Sequence, residues 1–438
     1  MKVVPDGGDL DLSRILRPGD RIVIGQACGE PTTLIEALVA QGPISQGPIP
    51  QGLTPQGRDI GGLSAFIATS FSGLFAPKAT DGLSVSSMGA IGTLRSLTKA
   101  HRLSVIPCHV SQVGPMIEAG IIGCDVAFIQ VSPADTEGDH SCGLISDYVR
   151  AAVTKARVVV AEVNDQVPFT YGETIPASAI DHAVHTSRPP VEVAPARIGE
   201  TDRAIAGHAA PFIEDGSVIQ TGIGAVPDAI LRLLHDRKDL GVHSGMLGDG
   251  LVDLIESGVV TNARKPIDRG VSVNGALIGT RRLYDFAHRN PQIRMCATSY
   301  THDAAVLSRL DHFVTINSAM EVDLTGQVNA EQSGAAYLGG TGGQADFVRA
   351  GARSPGGHAI IALPATAKRG TVSRITAALS GPVTTARSDV DVIVTEFGAA
   401  ELKGRTLAER TRRLVAIAHP DFQEELAREA HSIQQRGY

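Results

Sequence analysis

Four stretches of this chain combine residue types that do chemistry with a backbone that can approach a ligand. His243-Ser244-Gly245-Met246-Leu247-Gly248-Asp249-Gly250 carries an imidazole in a short, glycine-broken loop. A histidine there can act as a general base toward a water, an alcohol or an amine, or serve as a satisfied structural side chain. Upstream, Gly222-Ile223-Gly224-Ala225-Val226-Pro227 joins a strand signal to a helix signal. Glycines at such a junction let a ligand close to the backbone, and the helix that follows offers free N–H groups and its positive dipole end to a phosphate. A tight structural turn is the alternative, because Pro227 stands where a dinucleotide fingerprint wants its last glycine. In Gly339-Gly340-Thr341-Gly342-Gly343, four glycines in five residues cost backbone entropy that only a need for bare backbone justifies. Successive N–H groups in that run can line an anion site or an oxyanion hole. Lys368 follows an apolar strand, where its ammonium can meet a phosphate or carboxylate or remain solvated.

The elements that must position these loops alternate between strand and helix. Asp20–Ile24 reads as a strand and 29–40 as a capped helix, followed by Leu103–Pro107 as a strand and Val110–Ala119 as a helix. Asp125–Ser132 and Val158–Val163 are short, β-branched apolar runs of the kind parallel sheets bury. The theme returns with strands at Val218–Thr221, Leu240–His243, Val271–Asn274, His312–Asn317, Ala359–Pro364 and Val390–Glu396. Helices are expected at Pro227–His235, Asp249–Gly258 and Leu407–Ile417. Alternation of this kind implies right-handed βαβ units and an α/β fold with mostly parallel sheets. Two tandem open α/β domains are expected, 1–195 and 196–438, with 168–195 as the connecting loop and a functional cleft between the domains. The pentapeptide repeat QGPIS, QGPIP, QGLTP, QGR within 41–58 is too rich in glutamine, glycine and proline to bury apolar surface, and reads as a flexible surface loop.

Composition narrows the function classes. At 438 residues the chain can build two or three cores, and 43% hydrophobic with 19% charged residues fits a globular protein. No window reaches the roughly 18 apolar residues of a membrane span. The N-terminal MKVVPDGGDLDL lacks a signal-peptide pattern, which points to the cytoplasm. A net charge of −7 without a basic stripe argues against nucleic acid as a partner. The five cysteines are scattered, and no His, Asp, Glu or Cys group has metal-ligand spacing.

Longer motifs carry a family resemblance. They are GIGAVPDAI from Gly222, DGLVDLIESGVVTNARK from Asp249, GTRRLYDF from Gly279 and NSAMEVDLTGQVN from Asn317, with GGTGGQADFVRAGA from Gly339 and TEFGAAELKGRTLAERTRRLVAIAHP from Thr395. VAFIQVSPAD from Val126 and VVVAEVN from Val158 extend them into the first half. With these the chain resembles the acetyl-CoA hydrolase/transferase family, and within it the 4-hydroxybutyrate CoA-transferase branch. The resemblance implies two CoA-transferase-like domains that take coenzyme A as an acyl-CoA substrate, use no metal, and form a homodimer or higher homo-oligomer. It places Gly222, Ile223, Gly224, Ala225, Val226, Met320, Gly339, Gly340, Gly342, Gly343 and Lys368 at CoA-contacting positions. In such enzymes a glutamate attacks the thioester and carries the CoA to a second carboxylate. The family pattern at that spot resembles His-Ser-Glu-Met, and this chain has His243-Ser244-Gly245-Met246. Glycine has no nucleophile, so covalent catalysis through residue 245 is impossible.

Three readings follow from that departure. An acyl-CoA-using enzyme could transfer the acyl group straight to an amine, a hydroxyl or water, with His243 as base and the glycine loop as oxyanion site. A CoA-transferase between an acyl-CoA and a carboxylate could use a substitute carboxylate, for which Glu321 beside Met320 is the candidate. A non-catalytic CoA-binding protein would keep the loops and lose the chemistry. Asp249 and Glu331 are the other nearby carboxylates, and Asp249 reads as a helix first-turn residue.

Overall fold

The computed structural model describes residues 2–4, 11–40 and 61–435. The glutamine-glycine repeat lies outside the described residues. The chain divides into two compact units, Met1–Val193 with Gly275–Ser299, and Ala194–Asn274 with Tyr300–Tyr438.

The first unit is organised on an eight-stranded sheet. Its strand order is Lys2–Val4, His182–Thr186, Val158–Asn164, Val126–Val131, Arg21–Ile24, Ser64–Phe66, Ser84–Ser87 and Leu103–Val105. Every pairing in it is parallel. The central strand Val126–Val131 is buried at all six positions, which is why the sequence shows an unbroken apolar run there instead of alternation. The helices Thr32–Ala40 and Val110–Glu118 flank the strands as the alternation requires.

Two sequence expectations need correction here. The stretch 168–195 is no simple connector, because His182–Thr186 within it is an interior strand paired to Val158–Asn164 on one side and Lys2–Val4 on the other. Its His-Ala-Val-His-Thr composition hides a strand whose buried positions are Ala183 and Val184, one on each face of the sheet. Residues 275–299, assigned by sequence to the second domain, pack with the first unit. Ala276 bridges Ile145, the Leu277 N–H donates to the Leu144 carbonyl (2.8 Å), and the buried Tyr284 hydroxyl donates to the Val191 carbonyl (2.6 Å).

The second unit has a six-stranded sheet in the order Gly241–Val242, Val218–Thr221, Phe313–Ser318, His358–Ala362, Val392–Thr395, Gly398–Glu401. The first five strands run parallel and the last is antiparallel. Helices Ala225–Arg232, Asp249–Glu256, Gln344–Arg353 and Leu407–Ala416 accompany it. Leaving the carboxyl ends of successive parallel strands, the chain enters the segments singled out by sequence. Gly222 follows Thr221, His243 follows Val242, Met320 follows Ser318, and Lys368 lies beyond Ala362. In open α/β sheets that edge is where ligands bind.

Candidate active site

The site is built from the second unit alone. The strand Val218–Thr221 ends in Gly222, and Gly224 precedes the helix Ala225–Arg232 with φ +125° and ψ 177°, a conformation only glycine adopts readily. A side chain added at Gly222 or Gly224 would meet nothing within 4 Å, so the turn is open on the side where a ligand would come. The neighbouring loop is tied to it by Ser244, which is fully buried. Its hydroxyl donates to the Thr221 carbonyl at 3.1 Å and accepts the Met246 N–H at 3.3 Å.

His243 sits inside the core rather than at a surface. It is fully buried, and its Nε2 lies 3.1 Å from the Thr301 carbonyl oxygen, to which it donates. Its ring packs near Tyr300 and Phe313. Nδ1 is buried without a partner among the described residues. Burial pulls its pKa down to about 4, and the ammonium of buried Lys265 adds to the effect. The imidazole is therefore neutral at ordinary pH and has no exposed face to offer an acceptor. That geometry speaks against His243 as the base and makes it an anchor for the backbone at Thr301.

The adjacent residue, His302, holds the position the sequence reading gave to no side chain. A Cβ built on Gly245 would lie 2.8 Å from His302 Cε1 and 2.9 Å from its Nε2. A Cβ built on Gly343 would lie 2.4 Å from His302 Nε2 and 2.7 Å from its Cδ2. Real Cβ atoms do not come so close, so the ring occupies volume that both glycines leave empty. Phe347, one turn into the helix that Gly343 precedes, lies against the ring at 4.4 Å between centroids. Thr301 Oγ1 is 2.8 Å from His302 Nδ1. Among the described residues Nε2 has no hydrogen-bond partner. Burial, followed by nearby His243, pulls the pKa of His302 down to about 3, so it too is neutral.

The remaining candidates separate into two groups. Gly342, at φ +55°, has open space where a side chain would be, while Gly339 is needed for packing: a Cβ there would strike the Ala330 carbonyl oxygen at 2.3 Å. Met320 Cε lies 3.4 Å from that same point, which joins the Met320 loop to the glycine run. Ile223, Ala225 and Val226 follow the Gly222 turn into its helix, and Gly340 continues the second run. Lys368 is exposed at the tip of the hairpin Thr366–Ala367/Val372–Ser373, with φ +49°.

Glu321 is committed elsewhere. Its carboxylate accepts from Asn329 Nδ2 (2.9 Å), the Ser380 N–H (2.6 Å), the Ser380 hydroxyl (2.9 Å) and the Gly381 N–H (3.2 Å). Glu331 is buried and accepts from Tyr337 (2.5 Å) and Thr384 (2.8 Å). Asp249 opens the helix Asp249–Glu256 as the sequence suggests. Among the described residues no group of three His, Cys, Asp or Glu could hold a metal, and no helix is long and apolar enough to cross a membrane.

His302 was missed because it lies in none of the motifs quoted above and stands 57 positions from Gly245 (302 − 245). One hint existed: an empty position 245 raises the question of what fills the space.

Family models match both halves of the chain. Residues 77–195 match the acetyl-CoA hydrolase/transferase N-terminal domain and 279–430 the C-terminal domain. The chain is 43% identical, over 77% of its length and 80% of the other, to the 4-hydroxybutyrate coenzyme A transferase of Clostridium kluyveri. It is 42% identical to the succinyl-CoA:cyclohexane-1-carboxylate CoA transferase of Geobacter metallireducens, over 70% and 71% of the two chains. The crystal structure of RipA from Yersinia pestis superposes with a TM-score of 0.89 at 34% identity, over 99% of this chain and 97% of that one.

Proposed function

Because the chain belongs to the acetyl-CoA hydrolase/transferase family, whose members are CoA-dependent transferases and thioester hydrolases, we propose that it passes the acyl group of an acyl-CoA directly to an acceptor, an amine, a hydroxyl or water, with no glutamyl-enzyme. The observation that carries this reading is the content of the Gly245 position. No carboxylate is there, and the space beside it is filled by a neutral imidazole that a side chain at 245 would strike.

In this reading the CoA lies along Gly222–Val226, with Met320, Gly340, Gly342, Gly343 and Lys368 lining its path. The Ala225–Arg232 helix start and the bare backbone at Gly342 supply N–H groups for phosphate and for the oxyanion that forms on the thioester carbonyl. Loss of a nucleophile normally costs many orders of magnitude, yet binding and an oxyanion site alone leave measurable rate. Transfer to a carboxylate through Glu321 is disfavoured, because four donors hold that carboxylate and a displaced nucleophile fails on geometry.

The test is product analysis by mass spectrometry after mixing the protein with a panel of acyl-CoAs, each with and without acetate. Free CoA released at a rate independent of acetate is expected. New acetyl-CoA formed from acetate would sink the reading, since CoA would then pass to a carboxylate in place of acyl transfer to an amine, a hydroxyl or water.

A further inference from the structure

We propose that His302 is the base of this reaction, its Nε2 taking the proton of the acceptor as the acceptor attacks the thioester carbonyl. The inference rests on the direct-transfer reading above and replaces His243 in the role.

Three observations carry it. First, two glycines from separate loops, Gly245 and Gly343, both lack the side chain that would exclude this ring: their Cβ positions fall 2.9 Å and 2.4 Å from the same atom, Nε2. Nε2 thus stands where the outer part of a side chain at 245 would reach. Second, the ring is held in one orientation. Thr301 Oγ1 meets Nδ1 at 2.8 Å and Phe347 lies against its face, while Nε2 has no partner among the described residues. The 2.8 Å contact suits either tautomer, and the role requires the one in which Nδ1–H donates to Thr301 Oγ1 and the lone pair is on Nε2. His302 is 6% exposed, and Nε2 is not among the buried side-chain atoms that lack a partner, so the free lone pair is not sealed in the core. Third, His243 is sealed in the core: its Nε2–H on the Thr301 carbonyl fixes the backbone that presents His302, and its Nδ1 is buried where no acceptor reaches it.

The chemistry balances without another reagent. The acceptor's oxygen or nitrogen forms a bond to the carbonyl carbon, and its proton moves to Nε2. The carbon–sulfur bond then breaks, and sulfur leaves with the electron pair. The proton on Nε2 passes to the thiolate, which restores the neutral imidazole and yields the acylated acceptor and CoA. Burial keeps the resting ring unprotonated, and the negative charge that develops on the carbonyl oxygen and the sulfur is what makes protonation there favourable at the moment of reaction.

The experiment uses His302→Asn and His302→Ala in the full chain, with CoA affinity measured by calorimetry as the check on folding. Single-turnover consumption of acyl-CoA should fall about 100- to 10,000-fold in both, with CoA affinity within about 3-fold of wild type. Added imidazole should restore rate to His302→Ala, more strongly for more basic substituted imidazoles, whereas thiophene of the same size should not. Wild-type rate in His302→Asn, or equal rescue by thiophene, would overturn the assignment and leave direct transfer standing. If the wild-type protein consumes no acyl-CoA in this assay, direct transfer falls and the assignment falls with it.

Discussion

Glu30 in the first unit and His302 in the second are both buried ionisable side chains, and the protein treats them in opposite ways. Glu30 is fully buried, and every direction its carboxylate could use is met. It accepts from the Ser70 hydroxyl (3.0 Å), the Phe71 N–H (2.6 Å), the Ser72 N–H (3.1 Å) and the Ser72 hydroxyl (2.5 Å). Burial pushes its pKa up, and the four donors push it back down. His302 is less enclosed, 6% exposed against 0% for Glu30, and has one partner among the described residues, on Nδ1 alone. A buried group with every lone pair satisfied specifies structure, and its chemistry is spent. A group left half-satisfied beside two bare glycines keeps a lone pair for something else.

The comparison can be broken from either side. Glu30→Ala should give the largest loss of stability. It strands the donors of Ser70, Phe71 and Ser72 around an empty site, at a cost of about 4 kcal/mol by urea unfolding. A loss under about 1 kcal/mol would show that Glu30 is not the fastening its four bonds suggest.

Gly245→Ala comes next, at about 1–3 kcal/mol, because its Cβ must displace a ring fixed by Phe347 and Thr301. Adding His302→Ala should recover part of that loss, so that the double variant is more stable than the sum of the two single effects requires. Additive losses would place the two residues out of contact. Gly245→Glu alone is expected not to rebuild a glutamyl-enzyme, since the imidazole occupies the room its side chain needs.

The smallest effect concerns pH. His302 and His243 have folded pKa values near 3 and near 4, below the ordinary 6.5. Above pH 6.5 both folded and unfolded chains carry neutral rings and nothing is lost. As pH falls below 6.5 the unfolded chain takes up protons that the fold refuses, so these two residues subtract stability down to pH 4 and below. Asp147 works against them. Burial pushes it up to about 7 from 3.8, so between those values it adds stability as pH falls. The difference between wild type and His302→Asn isolates the ring: the variant should lose less stability between pH 6.5 and 4.5 in thermal melts. Parallel pH profiles would mean that His302 is not held neutral by its surroundings.

Much of the fold was legible in the sequence. The apolar runs at Val126 and Val158 and the strand-to-helix turn at Gly222 became the elements they suggested, because burial on both faces leaves a local composition signal. What failed was long-range. His182–Thr186 is a strand only because two neighbours pair with it, and 275–299 joins the first unit through contacts that no local pattern records. The same holds at the site. Glycine at 245 was visible as a missing side chain, whereas the imidazole that fills the gap comes from a distant loop and is recognisable only by distance. His243 attracted the role of base through its place in the motif, and its full burial is the reason the proposal gives that role to His302 instead.

The central claim, that the acyl group never passes through an enzyme carboxylate, is tested most directly by the mass of the protein itself. The wild-type chain would be mixed with an acyl-CoA it consumes, treated with borohydride or hydroxylamine during turnover, and its intact mass and peptides measured. Unmodified glutamates throughout, with CoA released in solution, is the expected result. A glutamate carrying CoA, reduced by borohydride or converted by hydroxylamine, at Glu321 or elsewhere, would contradict direct transfer.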